Sequence, residues 1–221
     1  MNYKYTFLLL LLLLTIVRPA AAETILIVGD SLSSAYGMPV EQGWVALLRQ
    51  KLADAGRNDT LINASISGDT TANALARLPQ ALERHQPDLV IVELGGNDGL
   101  RALSLKQMKA NLAAIIDQSA AGGRGLLLIG VNLPPNYGRR YTERFHAVYR
   151  QLAEEKAVSL MPSMVDDIGV NSALMQRDGI HPNAKAQPLI AAKVWRHLQP
   201  LLAIEGQGEG VPAQITKTGG Q

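Results

Sequence analysis

The chain has 221 residues, with 21 basic and 19 acidic side chains, 47% hydrophobic residues, 5% aromatic residues and no cysteine. This length is typical of one domain, and the low aromatic content predicts a core packed by aliphatic side chains. The near-balance of charge argues against the basic stripe of a nucleic-acid-binding protein. The absence of cysteine excludes disulfides, thiolate nucleophiles and thiolate metal ligands.

Residues 1–22 have the pattern of a secretory signal peptide. Lys4 precedes an apolar stretch over residues 7–17, and Ala20 and Ala22 provide the small residues of a cleavage site. The stretch is about half of the roughly 20 residues that cross a bilayer, which disfavours the alternative of an uncleaved anchor. Cleavage leaves 19 basic and 19 acidic residues. The sequence therefore predicts an exported chain with no formal net charge and no stable membrane span.

Five short apolar runs alternate with segments of helical spacing. We predict strands at residues 24–28, 60–62, 89–94, 126–131 and 158–161. The predicted helices contain the apolar sets Trp44, Leu47, Leu48 and Leu52; Leu75, Leu78 and Leu82; Met108, Leu112, Ile115 and Ile116; Phe145, Val148 and Leu152; and a last helix covers residues 188–198. This alternation is typical of an α/β fold with a parallel sheet covered on both faces, which makes a three-layer α/β/α domain.

Local signals add detail to two helices and to the C-terminal part of the chain. Ser104 and Gln107 have the spacing of a capping box, and Pro79 is expected to kink or restart the second helix. The connection over residues 162–187 is longer than most connections in compact domains, which indicates a functional loop. The Gly-rich polar residues 204–221 predict a disordered tail, so the folded domain is expected to span residues 23–203.

Ser31 directly follows the first predicted strand and is the candidate nucleophile. Ligands in open α/β sheets bind at the carboxyl ends of the strands, and Gly29 permits a sharp turn before the serine. A serine hydroxyl needs a histidine base and a group that orients this base. His181 lies in the long loop, three residues after Asp178, a spacing that lets the carboxylate hold one ring nitrogen. The remaining histidines lie in predicted helices and are interpreted as structural or solvated: His85, His146 and His197.

Two further strand-end loops supply hydrogen-bond donors. Gly68 follows the second strand and can bring its backbone N–H close to a ligand, whereas Asn97 follows the third strand after Gly95 and Gly96. The two glycines suffice for a turn, so Asn97 is interpreted as a side-chain donor. In a flavodoxin-like strand order 2-1-3-4-5, these loops flank Ser31, where they can stabilise the oxyanion of ester cleavage.

The acidic residues of the strand-end loops allow an alternative chemistry. Asp30, Asp98 and Asp178 could hold Mg²⁺ in a phosphatase, but Asp30 and Asp98 can equally well bind the loop backbones. The second interpretation is preferred. Glu93 lies inside an apolar strand, where it is expected to pair with a backbone group or a basic side chain.

Apolar residues near the predicted site suggest an acyl-binding surface, although packing beneath the loops is an equal interpretation of each. They are Leu100, Leu103, Leu133, Tyr137 and Ile180. Arg139 and Arg140 could attract a phosphate-bearing head group, but at the start of a helix they are more often solvated.

Four motifs occur in a fixed order along residues 25–200: GDSLS, ISGDT, ELGGND and DGIHPN. In this combination the chain resembles the SGNH hydrolases of the GDSL family. The resemblance implies Ser31 as nucleophile and, through its N–H, as oxyanion donor. It implies that Gly68 N–H and the Asn97 side chain complete the oxyanion hole, and that His181 is the base oriented by Asp178.

The resemblance also implies the reaction and its surroundings. It predicts a monomeric periplasmic serine acyl-hydrolase that needs no metal or cofactor and cleaves small-molecule esters, thioesters and lysophospholipids, with secretion beyond the periplasm left open. Two alternatives remain at this point: a carbohydrate acetyl esterase of the same family, and a non-catalytic binding module. The intact set of motif residues disfavours the binding module.

Overall fold

Five parallel strands form one sheet within residues 22–202, the part of the chain that the computed structural model describes. The strands are β1 (Thr24–Gly29), β2 (Thr60–Asn63), β3 (Leu89–Glu93), β4 (Gly125–Ile129) and β5 (Ser159–Met161). Their order is β2-β1-β3-β4-β5, and each neighbouring pair is parallel. The predicted flavodoxin-like order is therefore confirmed.

Six α-helices accompany the strands of this described region. They are α1 (Trp44–Asp54), α2 (Thr71–His85), α3 (Gly96–Leu100), α4 (Leu105–Ala120), α5 (Arg139–Lys156) and α6 (Gln187–Leu198). Short 3₁₀ turns occupy Val40–Gln42, Ala121–Gly123, Pro135–Tyr137, Ser172–Leu174 and Gln199–Leu201. Within residues 22–202, none of the helices is long and apolar enough to span a bilayer. The predicted signal peptide, except for Ala22, and the predicted tail lie outside the described residues.

The sheet is buried on both faces, which explains why its strands are continuous apolar runs. Successive side chains of a strand point to opposite faces, so Ile25 and Ile27 pack with α1 and α6, whereas Leu26 and Val28 pack with α2, α4 and α5. All four side chains are fully buried. Complete burial of one such aliphatic side chain contributes about 1.5–3 kcal/mol. The two cores fix the three layers and the position of the strand ends.

The third and fourth strands end earlier than predicted. Leu94 and Val131 follow the last paired residues of β3 and β4, yet both remain buried in the core beneath α4 and α5. A run of apolar residues reports burial, which continues here after the hydrogen-bonded ladder has ended. The short helix α3 was not predicted, because Gly96 and Gly99 within five residues disfavour a helix.

Helix α2 runs without interruption across Pro79, so the predicted restart at this residue is wrong. Ala74 and Leu78, which precede Pro79, are fully buried against the sheet, and this packing holds the helix in place where one backbone hydrogen bond is missing. At α4, the Ser104 hydroxyl accepts a hydrogen bond from Gln107 N, as the capping box predicts. The reciprocal bond of a capping box, from Ser104 N to the Gln107 side chain, is not formed; the Gln107 amide donates to Asn111.

Candidate active site

Ser31 lies directly after Asp30, in the loop at the carboxyl end of β1. In the sheet, β1 lies between β2 and β3. The loop after β2 is joined to the Ser31 loop by two hydrogen bonds. Ile66 N donates to Gly29 O at 3.1 Å, and the hydroxyls of Ser34 and Ser67 lie 2.7 Å apart. These bonds hold the two strand-end loops side by side.

The structure brings Ser31, His181 and Asp178 into one hydrogen-bonded chain. Nε2 of His181 lies 2.8 Å from Ser31 Oγ, and Nδ1 lies 2.7 Å from Asp178 Oδ2. Because a carboxylate can only accept, Nδ1 carries the hydrogen and Nε2 is free to accept from the serine hydroxyl. This arrangement has the geometry that general-base activation of a serine requires.

Asp178 also shapes the loop that carries His181. Its Oδ1 accepts hydrogen bonds from the backbone N–H groups of Ile180 and His181, at 2.9 and 3.0 Å. Partial burial raises the pKa of Asp178, but the bonds from the His181 backbone and ring and from Ile180 N outweigh it, so the pKa lies below its usual value. An antiparallel bridge between Met175 and Pro182 closes the same loop at its base.

The two predicted oxyanion donors differ in their surroundings. Gly68 has φ +84°, a left-handed conformation that strains any residue with a side chain. Asn97 lies in α3, and its Nδ2 donates to Asp30 Oδ2 at 3.2 Å and to Asp69 O at 3.0 Å. Both amide hydrogens of Asn97 therefore already have acceptors, and an oxyanion would share or replace one of them.

A cavity of about 220 Å³ opens beside the serine, and Ser31, Asn97 and His181 line it. The remaining lining is mostly apolar and comes from the loops after β1, β3, β4 and β5. Its apolar residues are Leu32, Leu100, Val131, Leu133, Pro134, Pro135, Val165, Val170, Met175 and Ile180. The space therefore suits an apolar group attached to a reacting carbonyl.

Residues 27–188 match the GDSL-like lipase/acylhydrolase family, a span that includes all four motif loops. The chain belongs to this family. Membership makes it a hydrolase of ester bonds, and its sheet order is that of the SGNH hydrolase fold.

Named GDSL relatives match most of both chains. Esterase TesA of Pseudomonas aeruginosa is 48% identical over 192 residues, 87% of this chain and 96% of the relative. The Escherichia coli protein named thioesterase 1/protease 1/lysophospholipase L1 is 48% identical over 194 residues, 88% of this chain and 91% of the relative. The crystal structure of the psychrotrophic esterase EstA from Pseudoalteromonas sp., inhibited by monoethylphosphonate, is 44% identical, with a TM-score of 0.77; the match covers 80% of this chain and 97% of EstA.

Asp30, the carboxylate of the GDSL motif, binds both its own loop and the Asn97 side chain. Its Oδ1 accepts from Leu32 N at 3.1 Å while its Oδ2 accepts from Asn97. Burial raises the pKa of Asp30 to about 6, although the bond from Leu32 N and the charge of His181 act in the opposite direction. The predicted role of Asp30 in binding its own loop backbone is confirmed.

Glu93 lies fully buried behind this carboxylate at the end of β3. Its Oε2 accepts from the Ser33 hydroxyl at 2.7 Å and, at 3.5 Å, from Asp30 N, so the predicted backbone partner is present. Among residues 22–202, no basic side chain pairs with Glu93, so the alternative prediction of a basic partner is wrong. Burial, and then the charge of Asp30, raise the pKa of Glu93 well above its usual value. Two carboxyl groups therefore lie behind Ser31, and the negative charge of either one disfavours ionisation of the other.

The buried carboxyl groups of Asp30 and Glu93 make the free energy of unfolding depend on pH. We expect Glu93→Gln to reduce that dependence. A carboxyl group with a raised folded pKa stabilises the fold fully below its unfolded pKa near 4, and this contribution is lost as pH rises through the folded pKa, about 6 for Asp30. As pH rises from 5 to 8, the free energy of unfolding should therefore fall less in the variant than in wild type. Urea denaturation at several pH values measures the slope.

Glu83→Gln, on the exposed face of α2, is the matched control and should retain the wild-type slope. In Glu93→Gln the amide oxygen can still accept from Ser33. A general loss of stability would lower the free energy of unfolding equally at every pH and would leave its pH dependence unchanged. Identical slopes for Glu93→Gln and wild type would contradict the role assigned to the buried pair.

The carboxylates of the magnesium alternative have separate partners. Asp98 accepts from Thr71 N at 2.8 Å and from the Thr71 hydroxyl at 2.6 Å, so it binds the start of α2 rather than its own loop. Asn111 of α4 donates to the same hydroxyl. Asp30 and Asp178 bind the groups described above. Within residues 22–202, no three His, Asp or Glu side chains are grouped as a metal site.

The predicted acyl surface is partly wrong. Leu100, Leu133 and Ile180 line the cavity, whereas Leu103 and Tyr137 do not. Leu103 is exposed, and the Tyr137 hydroxyl donates to Leu100 O. Arg139 and Arg140 are exposed at the start of α5 and do not line the Ser31 cavity; Arg139 pairs with Glu143. For these arginines the solvated interpretation is confirmed.

Three supporting residues escaped the sequence analysis. The ring of Tyr36 lies 4.5 Å from the imidazole of His181, centroid to centroid. Gln176 donates to Tyr36 O at 2.8 Å, which joins the loop after Ser31 to the histidine loop. Arg77 donates to Ala64 O and pairs with Asp69, which fixes the loop that carries Gly68. Only the position of Tyr36 near the nucleophile in the sequence gave a signal.

Proposed function

We propose that this chain is a serine acyl-hydrolase in which Ser31, His181 and Asp178 form the catalytic triad. The observation that carries the proposal is the continuous hydrogen-bonded chain from Ser31 Oγ through both ring nitrogens of His181 to Asp178. A solvated surface histidine has no reason to lie between a strand-end serine and a carboxylate. Family membership supports the same reaction class.

In the first step, His181 Nε2 removes the hydroxyl proton as Ser31 Oγ attacks the carbonyl carbon of the substrate. The imidazolium then gives this proton to the leaving alcohol or thiol, which departs as the acyl-enzyme forms. Water, deprotonated by the same nitrogen, attacks the acyl-enzyme and releases the acid and the free serine. The negative charges of Asp178 and Asp30 favour the imidazolium through both steps.

The oxyanion of each tetrahedral intermediate is held by Ser31 N–H, Gly68 N–H and the Asn97 amide in this proposal. The left-handed backbone of Gly68 supports its assignment, since only glycine adopts it without strain. Asn97 lines the cavity next to Ser31, and Asp30 and Asp69 O fix the direction of its amide.

We expect Asn97→Ala to lower kcat by a factor on the order of 10² to 10³, because one donor to the developing charge is lost. The KM for a simple ester should change far less, since the ground-state carbonyl carries little charge. Steady-state kinetics with 4-nitrophenyl esters separate the two. Asn73→Ala, on an exposed face of α2, is a control that should retain wild-type kcat. A raised KM with unchanged kcat would contradict the donor role.

The apolar lining of the cavity favours acyl chains longer than acetate as substrates. Relatives carry the names esterase, thioesterase and lysophospholipase, so we propose that esters, thioesters and lysophospholipids of such chains are the substrates. With 4-nitrophenyl esters of 2 to 12 carbons, kcat/KM should rise from acetate to a medium chain, by roughly tenfold for every 1.4 kcal/mol of added burial. A maximum at acetate would favour the carbohydrate acetyl esterase instead.

The setting proposed for this reaction follows from the N-terminal sequence. Residues 1–22 support export to the periplasm, with secretion as the further possibility, followed by removal of this segment. The exported chain is proposed to act as a monomer on small-molecule substrates, without a cofactor.

Mass spectrometry after treatment with a 4-nitrophenyl phosphonate ester tests the nucleophile. A single adduct on Ser31 is expected in the folded protein, and none after urea denaturation, because the activated hydroxyl exists only beside His181. An adduct on another serine, or none in folded protein, would refute the assignment and favour a binding module.

A further inference from the structure

A second cavity, of about 170 Å³, lies beside the Ser31 cavity. Val131, Asn132 and Asp166 line both, so the two spaces share a wall built from the segments after β4 and β5. The other lining residues come from α5 and from the end of β5: His146, Tyr149, Arg150, Leu160, Pro162 and Ser163. The proposed reaction mechanism uses none of these six residues.

The second cavity presents unused hydrogen-bond donors. His146 and Arg150 are four residues apart on α5 and therefore occupy the same face of the helix. Nε2 of His146 is buried without a hydrogen-bond partner. Among residues 22–202, the Arg150 guanidinium has no ion-pair partner. The buried Nε2 of His146 lacks a partner that a ligand could supply, and the guanidinium of Arg150, which is exposed to solvent, lies on the same helix face.

Among the side chains that line the cavity, Arg150 is the cation that can attract an anion. The one lining acid, Asp166, does not pair with Arg150; it pairs at 2.9 Å with Lys193, which also pairs with Asp167. The Ser163 hydroxyl accepts from Val165 N and keeps its own hydrogen available. Burial, and then the charge of Arg150, lower the pKa of His146. A bound anion would offset both effects.

We infer that the second cavity binds a carboxylate carried at the far end of an acyl chain whose ester carbonyl lies at Ser31. The apolar lining of the first cavity would hold the chain, and His146 and Arg150 line the adjoining cavity on the other side of the shared residues Val131, Asn132 and Asp166. The planar guanidinium matches the two oxygens of a carboxylate. This inference rests on the proposed function and adds a substrate class to it, the half-esters of dicarboxylic acids.

Kinetics with paired substrates test this subsite. Mono-4-nitrophenyl esters of dicarboxylic acids with 6 to 10 carbons are compared with the same esters capped as neutral methyl esters. In the wild type, the ratio of kcat/KM for the anionic over the neutral ester should peak at one chain length. Arg150→Gln should lower this peak ratio by roughly three- to tenfold, because a charge-assisted hydrogen bond from an exposed, partly screened guanidinium is lost.

Arg144→Gln removes an exposed arginine of the same helix that does not line the second cavity, and it should preserve the ratio. If both variants lowered the ratio equally, the preference for the anionic ester would come from general surface charge, and the inference would be overturned. An unchanged ratio in Arg150→Gln would overturn it as well. If the proposed function itself were wrong, the Ser31→Ala variant would still hydrolyse the neutral ester. This result differs from an unchanged ratio, so the two failures can be distinguished.

Binding can also be followed without turnover, by NMR titration of the four imidazoles in the wild-type protein. Saturation with octanedioate should raise the pKa of His146, because a carboxylate favours the charged imidazole, while His197 serves as the internal control. The other titratable groups that line this cavity are Tyr149, Arg150 and Asp166. 1,8-Octanediol, which has the same chain but no carboxylate, should shift His146 less. Equal shifts with the diacid and the diol, or no shift with octanedioate, would overturn the inference.

Discussion

Replacement of Ser31 by alanine is expected to lower kcat for ester hydrolysis by a factor on the order of 10⁴ to 10⁶. The acyl-enzyme cannot form without this hydroxyl, and the remaining donors and binding contacts can only assist direct attack by water. Ser31 is partly exposed at the cavity, and within residues 22–202 His181 is the one side chain to which its hydroxyl is hydrogen-bonded, so the fold should be retained. Steady-state kinetics, with thermal unfolding as the check on folding, measure the effect.

Ser34→Ala provides the matched control for this substitution. Ser34 lies in the same loop, and its hydroxyl bonds to Ser67 instead of His181. Its kcat should remain within a few-fold of wild type, since the lost bond is a neutral one between partly exposed groups. If Ser31→Ala were folded and kept more than about 1% of wild-type kcat, another nucleophile would have to be sought.

The second large effect is expected from Asp178→Asn, with a loss of kcat on the order of 10² to 10⁴. The asparagine oxygen can still accept from the backbone N–H groups of Ile180 and His181, so the loop should persist. Its amide, however, would donate to Nδ1 of His181, which places the ring hydrogen on Nε2. This tautomer cannot accept the Ser31 proton.

A histidine tautomer can be observed directly, which separates this role from a structural one. In ¹⁵N NMR spectra, wild-type His181 should carry its hydrogen on Nδ1, and Asp178→Asn should move it to Nε2. Asp54→Asn changes an exposed carboxylate that bonds to Gln50 and should leave both the tautomer and kcat unaltered. A folded Asp178→Asn protein with wild-type kcat would contradict the orienting role.

The strand ends and their loops were predictable because two simple patterns define them. Buried parallel strands are continuous apolar runs, and loops at their carboxyl ends carry the polar residues that bind ligands. The boundaries of β3 and β4 were less predictable, since Leu94 and Val131 are buried without being paired. Helix α3 was missed because its glycines oppose helix formation; the structure requires glycine at residue 99, where a Cβ atom would clash with Leu133 and Phe145.

The contacts behind the predicted site residues required the structure. Asn97 could be selected as a donor, but its bond to Asp30 joins residues 67 positions apart and has no local signal. The same holds for Glu93, whose partner Ser33 lies 60 residues away. The ring of Tyr36 over His181 depends on the fold of a 25-residue connection that no periodicity describes. Sequence patterns identify chemistry-bearing side chains more readily than the groups that hold them.

The position of β1 has a consequence for how activity is acquired during folding. β1 is the first strand of the chain but pairs with β2 and β3, on either side of it, and the histidine loop arrives only after β5. Every contact of Ser31 with His181 therefore closes a loop of 150 residues. Such nonlocal contacts form late. Esterase activity should be the last property to return on refolding, after the secondary structure measured by circular dichroism.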